Sequence, residues 1–157
     1  MCAALCAAHA FGAGEVSRDV EFAKIGDLSL KLDVYRPEKA RPPLIVYVHG
    51  GAWRGGSKKE MPLGALVKEG YAVASVDYRL STEAQFPAQV HDIKAAIRFL
   101  RAQQAQLGID AARIVIAGSS AGGHLAALVG VTNGHKELEG AVGGHLDQSS
   151  DVQGIVS

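Results

Sequence analysis

Hydrophobic and polar positions alternate along the first well-patterned stretch of the chain. Val20 and Phe22 alternate with polar neighbours, Gly26-Asp27 turns the chain, and Leu28, Leu30, Leu32 and Val34 then alternate with Ser29, Lys31 and Asp33. A period of two on both sides of a turn predicts an antiparallel hairpin with one wet face. Beyond Pro37 and the pair Pro42-Pro43, alternation gives way to continuous apolar runs: LIVYV (44–48), YAVASVDY (71–78) and RIVIAG (113–118). Runs of this kind predict strands buried on both faces.

Helical periods separate the runs. Ser57 and Glu60 have the spacing of a capping box. Pro62 sits awkwardly inside the helix that box would open and suits a first-turn position better, and Gly70 closes the segment. Pro87 opens a longer helix on which Val90, Ile93, Ile97, Leu100 and Gln104 lie at helical spacing, ending near Gly108. AGGHLAALVG (121–130) continues as a helix from the third buried run, and a glycine- and charge-rich segment, 133–151, leads to VQGIVS, the start of another strand. Buried strands alternating with helices require right-handed crossovers. The prediction is an α/β fold with a mainly parallel sheet, helices on both faces and an N-terminal antiparallel hairpin. Its reactive loops belong at the carboxyl ends of the strands.

Composition narrows the function classes. With 157 residues the chain makes one domain, and 16 Lys+Arg against 16 Asp+Glu leave no net field to steer nucleic acid or an anionic membrane. No apolar run reaches the length of a membrane span. Both cysteines, Cys2 and Cys6, precede the patterned region, so a cysteine nucleophile, a disulfide framework or a cysteine metal site in the fold is excluded. Ala8-His9-Ala10 fits an A-x-A cleavage pattern, which reads residues 1–17 as the remnant of an export signal and the protein as secreted or periplasmic. The stretch lacks a basic n-region, so a frayed alanine-rich terminus on a cytoplasmic protein is the alternative. Residues 18–157 then form the domain.

The abrupt end of RIVIAG carries the candidate chemistry. Gly118-Ser119-Ser120-Ala121-Gly122 is a G-x-S-x-G pentapeptide that follows a strand and opens a helix, the context of a nucleophile elbow. A glycine turn used only for tight packing is the structural alternative, and no G-K-[ST] follows, which argues against a phosphate loop. His49-Gly50-Gly51-Ala52-Trp53 stands immediately after the first buried run. Acyl transfer builds negative charge on a carbonyl oxygen, which backbone N–H donors must meet. Ala121 would supply one donor, with Gly50 and Gly51 supplying the rest. His49 suits a loop-bracing role better than that of a base, and Trp53 suits a packing anchor or the wall of a substrate pocket.

These motifs, in this order, resemble the α/β-hydrolase superfamily. HGGAW matches the H-G-G-x-W form of the oxyanion loop in hormone-sensitive-lipase-like esterases and kynurenine formamidases. SVDYRL (75–80), FPAQVHDIKAAIRFL (86–100) and IAGSSAGGHLAAL (116–128) look like the bacterial feruloyl-esterase-like branch. The resemblance spans about residues 18–157 and implies a serine carboxylesterase acting on a small acyl ester, with no metal or organic cofactor. It makes Ser120 the nucleophile and Gly50, Gly51 and Ala121 the oxyanion donors.

The superfamily orders its triad as Ser, then Asp or Glu, then His. After Ser120 the sequence offers Glu137, Glu139, Asp147 and Asp151, and His124, His135 and His145. His124 is tied to the serine's own helix and reads as a packing or supporting residue. His135 and His145 precede VQGIVS, where the family places neither acid nor base. The expectation is an N-terminal portion of an esterase, lacking its acid and histidine and inactive alone. An arylformamidase, a peptidase-like hydrolase and a non-catalytic binding or scaffold protein remain as alternatives, and the oligomeric state is left open.

Overall fold

A computed structural model describes residues 14–157. The A-x-A pattern and both cysteines lie outside the described residues. Strands β1 (Val16–Ile25) and β2 (Leu28–Tyr35) form the hairpin, and β1 already includes Val16 and Ser17. The sheet continues with β3 (Pro43–Val48), β4 (Ala72–Val76), β5 (Asp110–Gly118) and β6 (Gly154–Val156). Its order is β1-β2-β4-β3-β5-β6. The pairs β1·β2 and β2·β4 are antiparallel, whereas β3·β4, β3·β5 and β5·β6 are parallel. The mainly parallel α/β sheet with its N-terminal hairpin is therefore the observed fold.

Helices α2 (Ala88–Ala102), α3 (Gln104–Leu107) and α4 (Ala121–Val131) supply apolar faces to the larger core. There Leu44, Val46 and Val48 of β3 meet Val90, Ile93, Ile97, Leu125 and Val129. The alternate residues Ile45 and Tyr47 face the other way, packing with Val73, Ala117 and Val67 of the short α1 (Gly64–Lys68). Burial on both faces explains the unbroken apolar runs.

Three local expectations change. The capping box at Ser57 and Glu60 does not open a helix: Glu60 N–H donates to Ser57 O in a turn, and α1 begins only after Pro62. The long helix stops at Ala102 and re-forms as α3, which carries Gln104 and ends on left-handed Gly108. The hairpin's polar face is not wet throughout, because Asp33 is 1% exposed beneath Lys58 and Arg18.

Segment 133–151 is organised by charge. It contains α5 (Lys136–Glu139), and Glu139 accepts from Lys94 Nζ at 2.6 Å and from Ser150 Oγ at 2.8 Å. Lys94 is fully buried on α2 and also donates to Thr132 O at 2.6 Å. Burial opposes ionisation of Glu139, yet hydrogen bonds from Lys94, Ser150 and Gly134 hold its carboxyl below the usual range.

Candidate active site

The elbow forms because β5 ends where α4 must begin at once. Ser120 takes φ 54° and ψ −124°, a conformation that costs a non-glycine residue about 1–3 kcal/mol. A methyl group on Gly118 would overlap the Gly122 carbonyl oxygen, so the turn closes only with glycine there. Ser120 is exposed, and its side chain makes no capping hydrogen bond to α4. Among the described residues none hydrogen-bonds its hydroxyl. Ser119 differs: its Oγ lies 3.4 Å from the Tyr47 hydroxyl. Ala121, buried, is the first residue of α4, whose opening N–H groups and positive dipole end lie beside Ser120.

The HGGAW loop leaves β3 at the same end of the sheet. A methyl group on Gly50 would stand 3.5 Å from Ser120 Cβ and 3.1 Å from Ser119 O. The loop then turns tightly, with Arg54 and Gly55 N–H both donating to Gly51 O at 2.9 and 3.0 Å. Gly51, Ala52 and Trp53 have φ of 102°, 52° and 59°. For Ala52 and Trp53 this backbone is strained and persists only where the surroundings fix it.

His49 supplies part of that fixing. It is 1% exposed, its Nδ1–H donates to Gly50 O at 2.8 Å, and its ring stacks on Tyr78 with centroids 4.4 Å apart. Tyr78 Oη donates to His49 O at 3.1 Å and to Gly50 O at 3.4 Å. Burial, with the charge of Glu60, pushes the Tyr78 hydroxyl up to about 12, so it remains a donor at neutral pH. At the loop's other end Lys58 N–H donates to Asp77 Oδ1 at 2.7 Å. Burial raises the Asp77 carboxyl against the pull of that hydrogen bond.

None of the other described histidines hydrogen-bonds the Ser120 hydroxyl. His124 is exposed on α4 and meets Trp53 edge-on, with centroids 5.5 Å apart. His91 Nε2–H donates to Glu137 O at 2.8 Å, His135 precedes α5, and His145 lies edge-on to Phe99 at 6.1 Å. Of the acids, Glu139 is occupied by Lys94, while Asp151 offers its backbone oxygen to Arg101 at 2.5 Å. Between the HGGAW loop and α4 an open cavity of about 350 Å³ is lined by Trp53, Phe86, His124 and Leu125 together with Ala52 and Gln89. Phe86 carries no role of its own in the sequence, where it only opens the stretch FPAQVHDIKAAIRFL. Tyr78 and Lys58 were equally hidden, one at the end of an apolar run and the other among surface-like lysines.

The BD-FAE family model matches residues 32–157. Esterase LipC of Mycobacterium tuberculosis is 38% identical over 77% of this chain and 32% of its own length. Among solved structures, a truncated form of carbohydrate esterase from gut microbiota aligns with TM-score 0.82 and 36% identity over 89% of this chain and 54% of that one. Esterase Est2 of the planctomycete Thermogutta terrifontis, with propionate bound, aligns with TM-score 0.74 and 33% identity over 89% and 52%. The chain spans about a third of the length of the first curated relatives it matches. By sequence, fold and relatives, the chain belongs to the BD-FAE family of α/β-hydrolases.

Proposed function

We propose that this chain carries the nucleophile and oxyanion half of a serine carboxylesterase. The observation that carries the reading is Ser120 itself: an exposed hydroxyl with no hydrogen bond among the described residues, on a strained elbow with Gly50 alongside and the first turn of α4 behind it. Strain of this kind is retained where function requires it.

In the proposed reaction Ser120 Oγ attacks the ester carbonyl carbon and its proton passes to a histidine base. The carbonyl oxygen becomes an oxyanion, held by the N–H groups of Ala121, Gly50 and Gly51. Collapse expels the alcohol, which takes the proton from that histidine, and leaves an acyl-serine. Water, activated by the same base, attacks the acyl carbon, and Ser120 leaves as its hydroxyl with the carboxylic acid as product. Trp53 and Phe86 wall the cavity that receives the organic part of a small ester. No described histidine hydrogen-bonds the Ser120 hydroxyl and His49 is engaged by Gly50 and Tyr78, which supports a base and an orienting carboxylate supplied from outside residues 14–157.

The test is hydrolysis of p-nitrophenyl acetate by the intact gene product and its Ser120→Ala variant. The variant keeps its circular dichroism spectrum and loses turnover; ester hydrolysis that survives the substitution overturns the assignment.

A further inference from the structure

We propose that Lys58 is a positioning residue: held between Asp33 and Asp19 of the N-terminal hairpin, its ammonium fixes the far end of the 49–58 loop and thereby the backbone facing Ser120. The positioning role rests on the ester-hydrolase reading, whereas the structural clamp stands apart from it.

The loop is strained at Ala52 and Trp53, whose φ is positive, between the positive-φ glycines Gly51 and Gly56. Tyr78 holds its start by donating to His49 O and Gly50 O. Its middle is held once, by Ser81 N–H donating to Trp53 O at 2.7 Å, while Arg54 and Gly55 bond back to Gly51. The end of the loop is the third anchor, and the one made through charged side chains. There Lys58 is gripped twice. Its N–H donates to Asp77 Oδ1 at 2.7 Å, and its buried side chain runs to the hairpin. Nζ lies 2.8 Å from Asp33 Oδ1 and 2.9 Å from Asp19 Oδ1.

The hairpin is shaped for this contact. The β1–β2 register shifts between Ser17 and Val20, and Asp19 within that bulge has φ 55°. The bulge turns Asp19 toward Lys58 and lets its N–H donate to Asp33 Oδ1 at 2.8 Å. Arg18 takes the other Asp33 oxygen at 3.1 Å. Arg18 and Lys58 thus meet Asp33 and Asp19 as two cations against two carboxylates. Burial works to lower the Lys58 ammonium, but Asp33 and Asp19 outweigh it and keep the group charged.

A buried ion pair is a poor choice if stability alone is needed, because apolar residues of similar volume do as well or better. What it adds is direction. Here the direction runs from a hairpin with no part in the chemistry to the loop that supplies the oxyanion donors.

Amide hydrogen exchange on the full chain, read by mass spectrometry, tests the clamp. Lys58→Met is expected to speed exchange at Arg54, Gly55 and Lys58 about tenfold or more while β3 and α4 keep their protection. Lys58→Arg restores most of that protection. Asp19→Asn, at a carboxylate whose side chain is 63% exposed, gives an intermediate effect and keeps the test decisive if Lys58→Met does not fold. In the intact gene product, Lys58→Met lowers kcat for p-nitrophenyl acetate by about tenfold or more and leaves KM within about twofold, as expected when donors to the transition state are misplaced. Unchanged loop exchange in Lys58→Met overturns the proposal, as does faster exchange spread evenly over all elements, or a loop left undisturbed by Asp19→Asn. If hydrolysis proves independent of Ser120, the ester-hydrolase reading fails, and the exchange data still decide the clamp.

Discussion

Gly122 and Val48 meet backbone to backbone: a methyl group on Gly122 would overlap the Val48 carbonyl oxygen and stand 2.5 Å from that of His49. The first turn of α4 is thus seated on the end of β3, and this seating brings Ser120 beside Gly50. Glycine at 122 is a requirement of the site's assembly as much as of the turn.

Gly122→Ala is therefore expected to destabilise the protein by about 1–3 kcal/mol, the usual cost of overpacking, and to widen the gap between Ser120 and the HGGAW loop. Urea denaturation reads the first effect. A midpoint equal to that of the unaltered protein would mean that α4 is free to move off β3.

Strain at Ser120 gives a second expectation. Ser120→Gly should raise stability by about 1 kcal/mol, because glycine accepts φ 54° freely, while abolishing turnover. Ser120→Ala should abolish turnover without that gain. A pair of thermal melts compares them, and equal midpoints would show that the elbow stores no strain.

The elbow was legible in the sequence because G-S-S-A-G bundles its steric requirement with its chemistry over five adjacent positions. The buried strands were legible because both faces of β3, β4 and β5 are covered, leaving unbroken apolar runs. Asp33 was not, since alternation assigns a polar residue to the wet face, and what covers it is a lysine 25 positions later together with Arg18 of the facing strand. The capping box misled for a related reason. Ser57 and Glu60 have the right spacing, but Lys58 between them is held by Asp77 and Asp33, and the chain remains a turn. Segment 133–151 reads as a loop because its organising partner, Lys94, lies on α2.

That partnership predicts an acid-sensitive region. Burial pushes the Glu139 carboxyl up, but hydrogen bonds from Lys94, Ser150 and Gly134 outweigh it and hold it below the ordinary value of 4.5. A depressed folded value means that the stabilisation is complete above pH 4.5 and is lost as pH falls through the lower, folded value. Hydrogen exchange across 133–151 should rise on acidification in that window, and Glu139→Gln should flatten the dependence. Glu139→Ala, which removes the buried Lys94's carboxylate, should cost about 3–5 kcal/mol, the penalty for breaking a buried pair. A mild Glu139→Ala phenotype would mean that Thr132 O alone satisfies the ammonium.

The cavity wall gives a prediction about substrate binding. Trp53 is 40% exposed and lines the open cavity together with Phe86 and with His124 and Leu125 of α4. Trp53→Ala in the intact gene product should raise KM for an aryl ester by about tenfold, the order expected from losing aromatic contact area, and change KM for a methyl ester much less. Equal effects on both esters would remove Trp53 from the binding surface.

The central claim is that Ser120 is the nucleophile, and covalent labelling tests it most directly. The intact gene product is treated with a fluorophosphonate, digested with trypsin, and the adduct located by fragmentation within residues 114–136, which contain both Ser119 and Ser120. A nucleophilic Ser120 gives a single adduct on Ser120, none on Ser119, and ester hydrolysis that falls in proportion to labelling. An adduct on Ser119 or on any residue outside this peptide, or full hydrolysis with Ser120 wholly labelled, would contradict it.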